Sequence, residues 1–117
     1  MSNFIEIKNL KKTFNISSNN QLLLFENLNL NITKNSTTSI IGPSGCGKST
    51  LLNIIGLLDS SFCGEYFFDG VLINNINKNK LNKIKNLKIG FVHQFFHLIP
   101  ELSVMENIIL PALIKKD

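Results

Sequence analysis

The glycine-rich stretch at residues 42–49 constrains the fold of this chain more than any other feature, because its spacing is Gly-x-x-x-x-Gly-Lys-Ser. A short β-branched run, residues 37–41, comes before it, and an apolar run typical of a helix, residues 48–58, follows it. A loop between a strand and a helix can turn its backbone N–H groups inward around an anion, and the helix N-terminus favours negative charge there. The sequence therefore predicts an α/β fold with a loop that binds the phosphates of a nucleotide, ATP above all.

The residue types in this loop suit a phosphate site. Glycine lets the backbone approach a ligand closely, Lys48 can reach the β- and γ-phosphates, and the Ser49 hydroxyl can ligate Mg²⁺. Thr50 is expected to help hold the α- or β-phosphate. We interpret Cys46 as a small spacer, with a redox role as the alternative. The predicted nucleotide-binding residues of the loop are Gly42, Pro43, Ser44, Gly45, Cys46, Gly47, Lys48, Ser49 and Thr50.

The remaining chain predicts a mixture of strands and helices. Asp69-Gly70 suits a two-residue turn, so residues 66–68 and 71–73 should pair as a hairpin. Alternating apolar and polar residues predict strands, and apolar residues three or four apart predict helices. The other predicted elements are strands at 4–8, 28–32, 37–41 and 89–92, a polar loop at 15–21, an amphipathic helix at 78–88, and a helix at 48–58 buried nearly all round.

Near the end of the sequence, Ser103 and Glu106 have the spacing of a capping box, which predicts a helix running to residue 114. Pro111 should kink this helix or end it early, because proline lacks the N–H that a helix interior needs. No repeat and no clear linker interrupts the chain, so residues 1–117 are expected to form one domain.

Composition argues against several classes of protein. The formal charge of +4 comes from 12 lysines without any arginine, and the lysines are scattered, which disfavours a nucleic-acid surface. Cys46 and Cys63 form no metal-ligand spacing or disulfide framework, which favours a reduced, cytoplasmic setting. No signal peptide is visible, and the longest apolar stretch, residues 51–58, is too short to span a bilayer. Any contact with a membrane is expected to come through a partner.

The segments around the loop carry a resemblance to a known family. GPSGCGKSTLLNIIGLLD, then GEYFFDG, then IGFVHQFFHLIPELSVMENIILPALI resemble the first half of an ABC-transporter ATPase, from about residue 4 to residue 114. Within that family, residues 94–100 with Glu106-Asn107 and Leu110-Pro111 are most similar to the lipoprotein-releasing ATPases, and the macrolide-export and cell-division ATPases are close relatives. The resemblance implies a phosphate-loop core with an antiparallel β portion, incomplete here. It also implies ATP hydrolysis with Mg²⁺, at the cytoplasmic face of the inner membrane. The implied partners are integral-membrane subunits and a second ATPase subunit.

The resemblance also implies two site residues outside the loop. Phe14 lies where the family has an aromatic residue that stacks on adenine, and packing at the end of the first strand is the alternative. Gln94 matches the glutamine that senses the γ-phosphate and Mg²⁺, so Ser49 and Gln94 are the implied magnesium residues; an ordinary residue at a strand end is the alternative. His93 stands where the family has Phe or Tyr. His93 and His97 are four apart, but Pro100 and the lack of a third ligand argue against a metal site.

Three features of a complete ABC ATPase do not occur in this sequence. No Leu-Ser-Gly-Gly-Gln signature is present, no apolar strand ends in Asp-Glu, and the later switch histidine of the family is missing. Asp59 and Asp69 follow apolar runs, but we assign the first to the end of the loop helix and the second to the hairpin turn. The chain alone is therefore expected to be a fragment that does not hydrolyse ATP. A non-catalytic nucleotide-binding remnant and an unrelated phosphate-loop enzyme, such as a small-molecule kinase, remain the alternatives.

Overall fold

A computed structural model describes residues 3–92 and 98–114 of the chain. Its internal contacts form two compact units, Met1–Ile76 and Asn77–Asp117. The single domain expected over residues 1–117 stays a prediction.

The first unit is built on a four-stranded sheet whose neighbouring strands are all antiparallel, in the order β2-β1-β3-β4. This sheet is the antiparallel β portion that the sequence predicts. The central strand pairs with residues far apart in sequence, since Ile7 lies opposite both Leu30 and Tyr66. The strands are β1 (Asn3–Ser17), β2 (Asn20–Thr33), β3 (Cys63–Phe68) and β4 (Val71–Leu72).

A β-bulge near Asn9 changes which positions of β1 are buried. Asn9 has a positive φ of 54°, and the pairing with β2 shifts register between Ile7 and Leu10. One inserted residue moves the inward-facing set by one position, because side chains alternate along a strand. Ile7 is therefore buried before the bulge, and Leu10 and Lys12 are buried after it. The bulge brings a lysine to an inward position.

Two β-hairpins define the ends of the sheet. Asp69 and Gly70 both have positive φ, 49° and 83°, as the predicted two-residue turn requires, and Phe68 pairs with Val71 across it. The predicted polar loop at residues 15–21 is wrong, because Ser17 pairs with Asn20 and the strands continue almost to the turn. Its polar side chains are exposed, so the ladder forms there without apolar burial.

The helix after the glycine-rich loop is shorter than predicted. α1 spans Lys48–Ile55 rather than residues 48–58. It ends in a Schellman motif, in which Leu57 takes a φ of 63°, the Leu58 N–H donates to the Asn53 carbonyl at 2.8 Å, and the Leu57 N–H donates to the Ile54 carbonyl at 3.1 Å. Leu57 becomes buried in this conformation. The expected burial nearly all round the helix is also wrong, because Leu52 is 45% exposed.

Tyr66 connects the sheet to the end of this helix. Its ring is fully buried, and its hydroxyl donates a hydrogen bond to the carbonyl of Ile55. Burial raises the pKa of Tyr66 far above its ordinary value of 10.0, so the hydroxyl keeps its proton and remains a donor. The C-terminal turn of α1 is thereby fixed relative to β3.

Two predicted strands, residues 37–41 and 89–92, are not strands among the described residues. Ile41 is 90% exposed and Val92 is 96% exposed. Residues 37–41 are rich in β-branched side chains and residues 89–92 are apolar, and both compositions are typical of strands. A strand also needs a neighbour to complete its hydrogen-bond ladder, and in the described part of the chain the sheet strands pair only with each other.

The second unit holds the two helices predicted for it. α2 spans Lys78–Lys88, as the apolar spacing indicates, and α3 spans Val104–Ile114. The capping box is confirmed, because the Glu106 N–H donates to Ser103 Oγ at 3.1 Å and the Ser103 N–H donates to Glu106 Oε1 at 2.9 Å. Pro111 lies inside α3, which continues to Ile114 rather than ending early.

Candidate functional site

The glycine-rich loop turns directly into α1, and its backbone conformation requires glycine. Gly45 and Gly47 have φ of 81° and 101°, in the left-handed region that residues with a Cβ rarely adopt. A Cβ on Gly47 would lie 2.9 Å from both Leu24 Cγ and Phe25 Cζ, so the loop also packs closely on β2. Gly47 caps the helix without any side-chain hydrogen bond. The first N–H groups of α1 are consequently open to a ligand.

Lys48 places its ammonium group over the loop that precedes it. Nζ donates hydrogen bonds to the carbonyl of Gly42 at 2.6 Å and to the carbonyl of Pro43 at 3.0 Å. Cys46 Sγ lies 3.9 Å from the same nitrogen, and Cys46 itself is exposed. The long side chain can exchange these carbonyls for other oxygen acceptors without moving its backbone, because an ammonium on a four-carbon stem has freely rotating donors.

A cleft of about 500 Å³ lies between this loop and the β1–β2 hairpin. Its hairpin side is formed by Phe14, Leu22 and Leu24, and its loop side by Ser44, Gly45 and residues 47–50. Phe14 is 41% exposed, so its ring is accessible from the cleft. The structure therefore brings the predicted Phe14 together with the predicted loop residues, as one site with an apolar end and an end rich in N–H groups.

Sequence reasoning missed Leu22 and Leu24. They follow the segment that we predicted to be a polar loop, so no strand was expected at these positions. Phe14 pairs with Leu22 in the β1–β2 ladder. The apolar run at residues 22–24 was the available signal, since a short apolar run is compatible with a strand, in which Leu22 and Leu24 lie on one face.

Lys12 and Asp59 were not assigned to the site from the sequence either. The Lys12 residue is only 3% exposed, and its Nζ lies 2.8 Å from Asp59 Oδ2 and also donates to the carbonyl of Ser61. The same nitrogen lies 4.8 Å from the centroid of the Phe14 ring. Asp59 in turn accepts a hydrogen bond from the Ser61 N–H at 2.8 Å.

The electrostatics of Asp59 follow from these contacts. Burial raises the pKa of the Asp59 carboxyl, but the hydrogen bond from Lys12, the hydrogen bond from the Ser61 N–H and the lysine charge lower it by more. The pKa of Asp59 is therefore below its ordinary value of 3.8, and the carboxylate remains charged beside the ammonium. The position of Asp59 shortly after α1 was a sequence signal for a site residue, but nothing in the sequence indicated that its partner is Lys12.

Gln94, His93 and His97 lie outside the described residues. The predicted role of Gln94 therefore stays a prediction. Within residues 3–92 and 98–114, no group of three His, Cys, Asp or Glu side chains could hold a metal ion. The same described ranges contain no helix with the length and apolar character that a membrane span requires.

A glycine loop that turns into a helix N-terminus, with a lysine over it and an aromatic residue across the cleft, defines a phosphate-loop nucleotide-binding protein. The family model for ABC transporters matches residues 25–117. The chain therefore belongs to the ABC transporter ATP-binding family.

Several curated relatives are similar over nearly the whole chain. An uncharacterised ABC transporter ATP-binding protein of Methanocaldococcus jannaschii is 45% identical over 95% of this chain and 47% of its own length. The lipoprotein-releasing system ATP-binding protein LolD of Buchnera aphidicola is 42% identical, over 92% of this chain and 47% of its own length. The macrolide export ATP-binding/permease protein MacB of Mannheimia succiniciproducens is 40% identical, over 95% of this chain and 17% of its own length.

Solved structures agree with the predicted fold class. The dimeric structure of the Methanocaldococcus jannaschii cassette superposes with a TM-score of 0.89 at 44% identity, covering 97% of this chain and 48% of that one. A post-hydrolysis structure of the same cassette, bound to ADP and Pi, has a TM-score of 0.88. The predicted α/β phosphate-loop fold with its antiparallel portion is thus confirmed. The chain spans about half the length of the relatives that we compare with it, apart from the much longer MacB.

Proposed function

We propose that this chain binds ATP in the cleft between the β1–β2 hairpin and the glycine-rich loop, as the nucleotide-binding part of an ABC transporter ATPase subunit. The observation that carries the proposal is the joint position of Phe14 and residues 47–50 around one cleft. An aromatic face suits a purine base, and open N–H groups beside a lysine suit phosphates. A nucleoside triphosphate has both chemistries at its two ends.

Each end of the nucleotide has candidate partners in the described residues. The N–H groups of the loop and of the first turn of α1 would hold the phosphates, with the Lys48 ammonium directed to the β- and γ-phosphates. Thr50 lines the same side of the cleft and would contact the α- or β-phosphate. Phe14 would stack on the adenine ring. Pro43, Ser44 and Cys46 would shape the loop around the phosphates, as expected from the sequence.

The residues present also fit a magnesium ion carried in with the nucleotide. Ser49 lines the cleft, is exposed, and lies next to Lys48. Mg²⁺ in such sites keeps several waters and takes few protein ligands besides phosphate oxygens, so one hydroxyl is a reasonable contribution. When bound, the ion would supply charge neutralisation to the β- and γ-phosphates. Gln94 remains our proposed second magnesium and γ-phosphate residue.

For the transported substrate, we propose lipoprotein release, working with integral-membrane subunits at the cytoplasmic face of the inner membrane. Support comes from relatives named as lipoprotein-releasing ATP-binding proteins. The macrolide-export relative supports export as the alternative. A second copy of the ATPase subunit is proposed as a further partner, because the Methanocaldococcus jannaschii cassette is dimeric.

Binding of ATP and its hydrolysis require different residues. The signature and Asp-Glu motifs are absent from this sequence, so we assign no residue of it to positioning the attacking water. We therefore expect the 117-residue chain to bind ATP but to release phosphate no faster than a variant with an impaired loop.

Lys48→Ala tests the binding proposal. Loss of a charged hydrogen-bond donor costs about 1.5–3 kcal/mol, which corresponds to a loss of ATP affinity of about 10- to 150-fold. Titration calorimetry with Mg-ATP would measure it, and circular dichroism would check that the secondary structure is unchanged. Lys83→Ala, at an exposed position of α2, is the matched control and should bind as the parent chain does. Equal affinity of the parent and Lys48→Ala would refute the proposal.

A further inference from the structure

Lys12 has contacts that a surface lysine does not have. Its side chain is 4% exposed, and its ammonium is held by the Asp59 carboxylate and the Ser61 carbonyl. A buried ammonium needs such partners, because an unpaired charge in a poorly solvated position is costly. These two partners belong to the segment that follows α1. They hold the Lys12 ammonium in a fixed position between β1 and this segment.

That point lies over the ring of Phe14. The distance from Nζ to the ring centroid is 4.8 Å, which is within the range of a cation–π contact. Phe14 lines the cleft and is 41% exposed, whereas Lys12 is buried and is not among the residues that line the cleft. The Phe14 ring therefore contacts the ammonium inside the protein, and the same ring is accessible from the cleft.

We propose that Lys12 is a positioning residue for nucleobase binding, holding the Phe14 ring on one face by a cation–π contact so that the other face receives the base. The inference rests on the proposed function of the cleft. The ammonium limits the orientations of a half-exposed ring, so less conformational freedom is lost when a base stacks on it. It also draws π-electron density toward itself, which reduces repulsion between the electron-rich faces of the ring and the base.

The competing explanation is that Lys12 only joins β1 to the segment after α1. A purely structural ion pair would affect every ligand of the cleft alike, through the stability or shape of the whole unit. The proposed role is confined to the base, because the phosphates are held by the glycine loop on the other side of the cleft. The ratio of affinities for ATP and inorganic tripolyphosphate therefore distinguishes the two explanations.

The experiment measures the affinities of the 117-residue chain for ATP and for inorganic tripolyphosphate, each with Mg²⁺, by titration calorimetry. Lys12→Met keeps the length and removes the charge, and we expect ATP affinity to fall about 2- to 30-fold, the range for a cation–π contact, with unchanged tripolyphosphate affinity. Lys12→Arg, which keeps a cation, should retain the parent ratio. Lys11→Met, at the neighbouring exposed position, is the control and should alter neither affinity.

A double-mutant cycle makes the test specific to the ring. Phe14→Leu alone should lower the ATP affinity, and Lys12→Met added to Phe14→Leu should cause no further loss. An equal loss for both ligands in Lys12→Met, or an unchanged ATP affinity, overturns the inference and leaves the proposed function standing. Further loss of ATP affinity in the double variant overturns the inference as well. Binding of neither ligand by the parent chain overturns the proposed function and the inference together.

Asp59→Asn provides a second test in case the Lys12→Met variant does not fold. It weakens the anchor of the ammonium but keeps the ammonium itself, so the ATP-to-tripolyphosphate ratio should fall by a smaller factor than in Phe14→Leu. An unchanged ratio in a folded Asp59→Asn variant contradicts the positioning role.

Discussion

Residues 3–76 and the described residues of 77–114 owe their structure to different kinds of interaction. Every buried residue of the described chain lies between Ile5 and Ile73. In the second unit α2 has no buried residue, and Ile108 in α3 is 69% exposed. The first unit is stabilised by apolar burial and by pairing between distant strands. The second relies mainly on contacts between residues close in sequence, together with a hydrogen bond from Asn86 Nδ2 of α2 to the carbonyl of Pro111 of α3 at 2.9 Å.

The local contacts of the second unit are specific ones. Asn77 caps α2 by accepting a hydrogen bond from the Asn79 N–H at 2.7 Å. Asn107 donates from Nδ2 to the carbonyls of Leu102 and Ser103 and accepts from the Ile99 N–H at 2.9 Å. Such caps define where a helix begins, but each contributes only about 1 kcal/mol. The difference teaches that a well-defined helix boundary is not evidence of a stable packed unit.

Ile54→Ala is expected to give the largest effect. The residue is fully buried, so truncation should lower the free energy of unfolding by about 2–5 kcal/mol through lost burial and a residual cavity. Ile108→Ala makes the same chemical change in α3, where the side chain is exposed, and should stay within about 0.5 kcal/mol. Urea unfolding followed by circular dichroism measures both. Similar losses for the two variants would remove the contrast between the units.

Ser103→Ala is expected to give a smaller and local effect. It removes the oxygen that accepts from the Glu106 N–H, and loss of an N-cap costs about 1 kcal/mol. Amide hydrogen exchange should speed up in the first turn of α3 and remain unchanged at the paired amides of β1 and β3. Ser103→Thr retains a capping hydroxyl and serves as the control. Faster exchange throughout residues 3–76 would mean that the two units unfold together.

The same contrast explains what could be predicted from the sequence. The turn predicted at Asp69-Gly70 and the cap predicted at Ser103 and Glu106 were correct because turn and cap preferences act within four residues. The helix predicted at residues 78–88 was correct for a similar reason, since apolar spacing is a local property of the sequence. The fold class and the phosphate loop followed from one motif and its flanking periodicity.

The errors concern positions where distant residues decide the outcome. Residues 37–41 have strand composition but no pairing partner among the described residues, which composition cannot reveal. The helix at residue 48 ends at Ile55 because Leu57 is buried in a left-handed conformation, an arrangement that local propensity disfavours. In the site, Lys12 was missed because its partner, Asp59, lies far along the chain and approaches it only after the β1 bulge has turned the lysine inward.

Acid titration of Asp59 and Glu106 should give the smallest effects, one in each unit. The Ser103 N–H and hydroxyl hydrogen bonds hold the pKa of Glu106 below its ordinary value of 4.5, and Lys12 and Ser61 hold that of Asp59 below 3.8. A folded-state pKa that is lowered contributes stability above the ordinary pKa. This stability is lost as the pH falls from the ordinary value through the folded one, because the unfolded chain takes up the proton first.

The amide resonances of Ser61 and Ser103 would report the two titrations, because each N–H donates to the carboxylate in question. Both midpoints should lie below the ordinary values, and Asp59→Asn and Glu106→Gln should each abolish only its own transition. Protonation of Asp59 leaves the buried Lys12 ammonium without its counter-charge, so acid should lower the melting temperature of residues 3–76. Protonation of the exposed Glu106 should only fray the start of α3, since its partners are local. A melting temperature equally acid-sensitive in Asp59→Asn and in the parent chain would show that the Lys12–Asp59 pair does not link the first unit to pH.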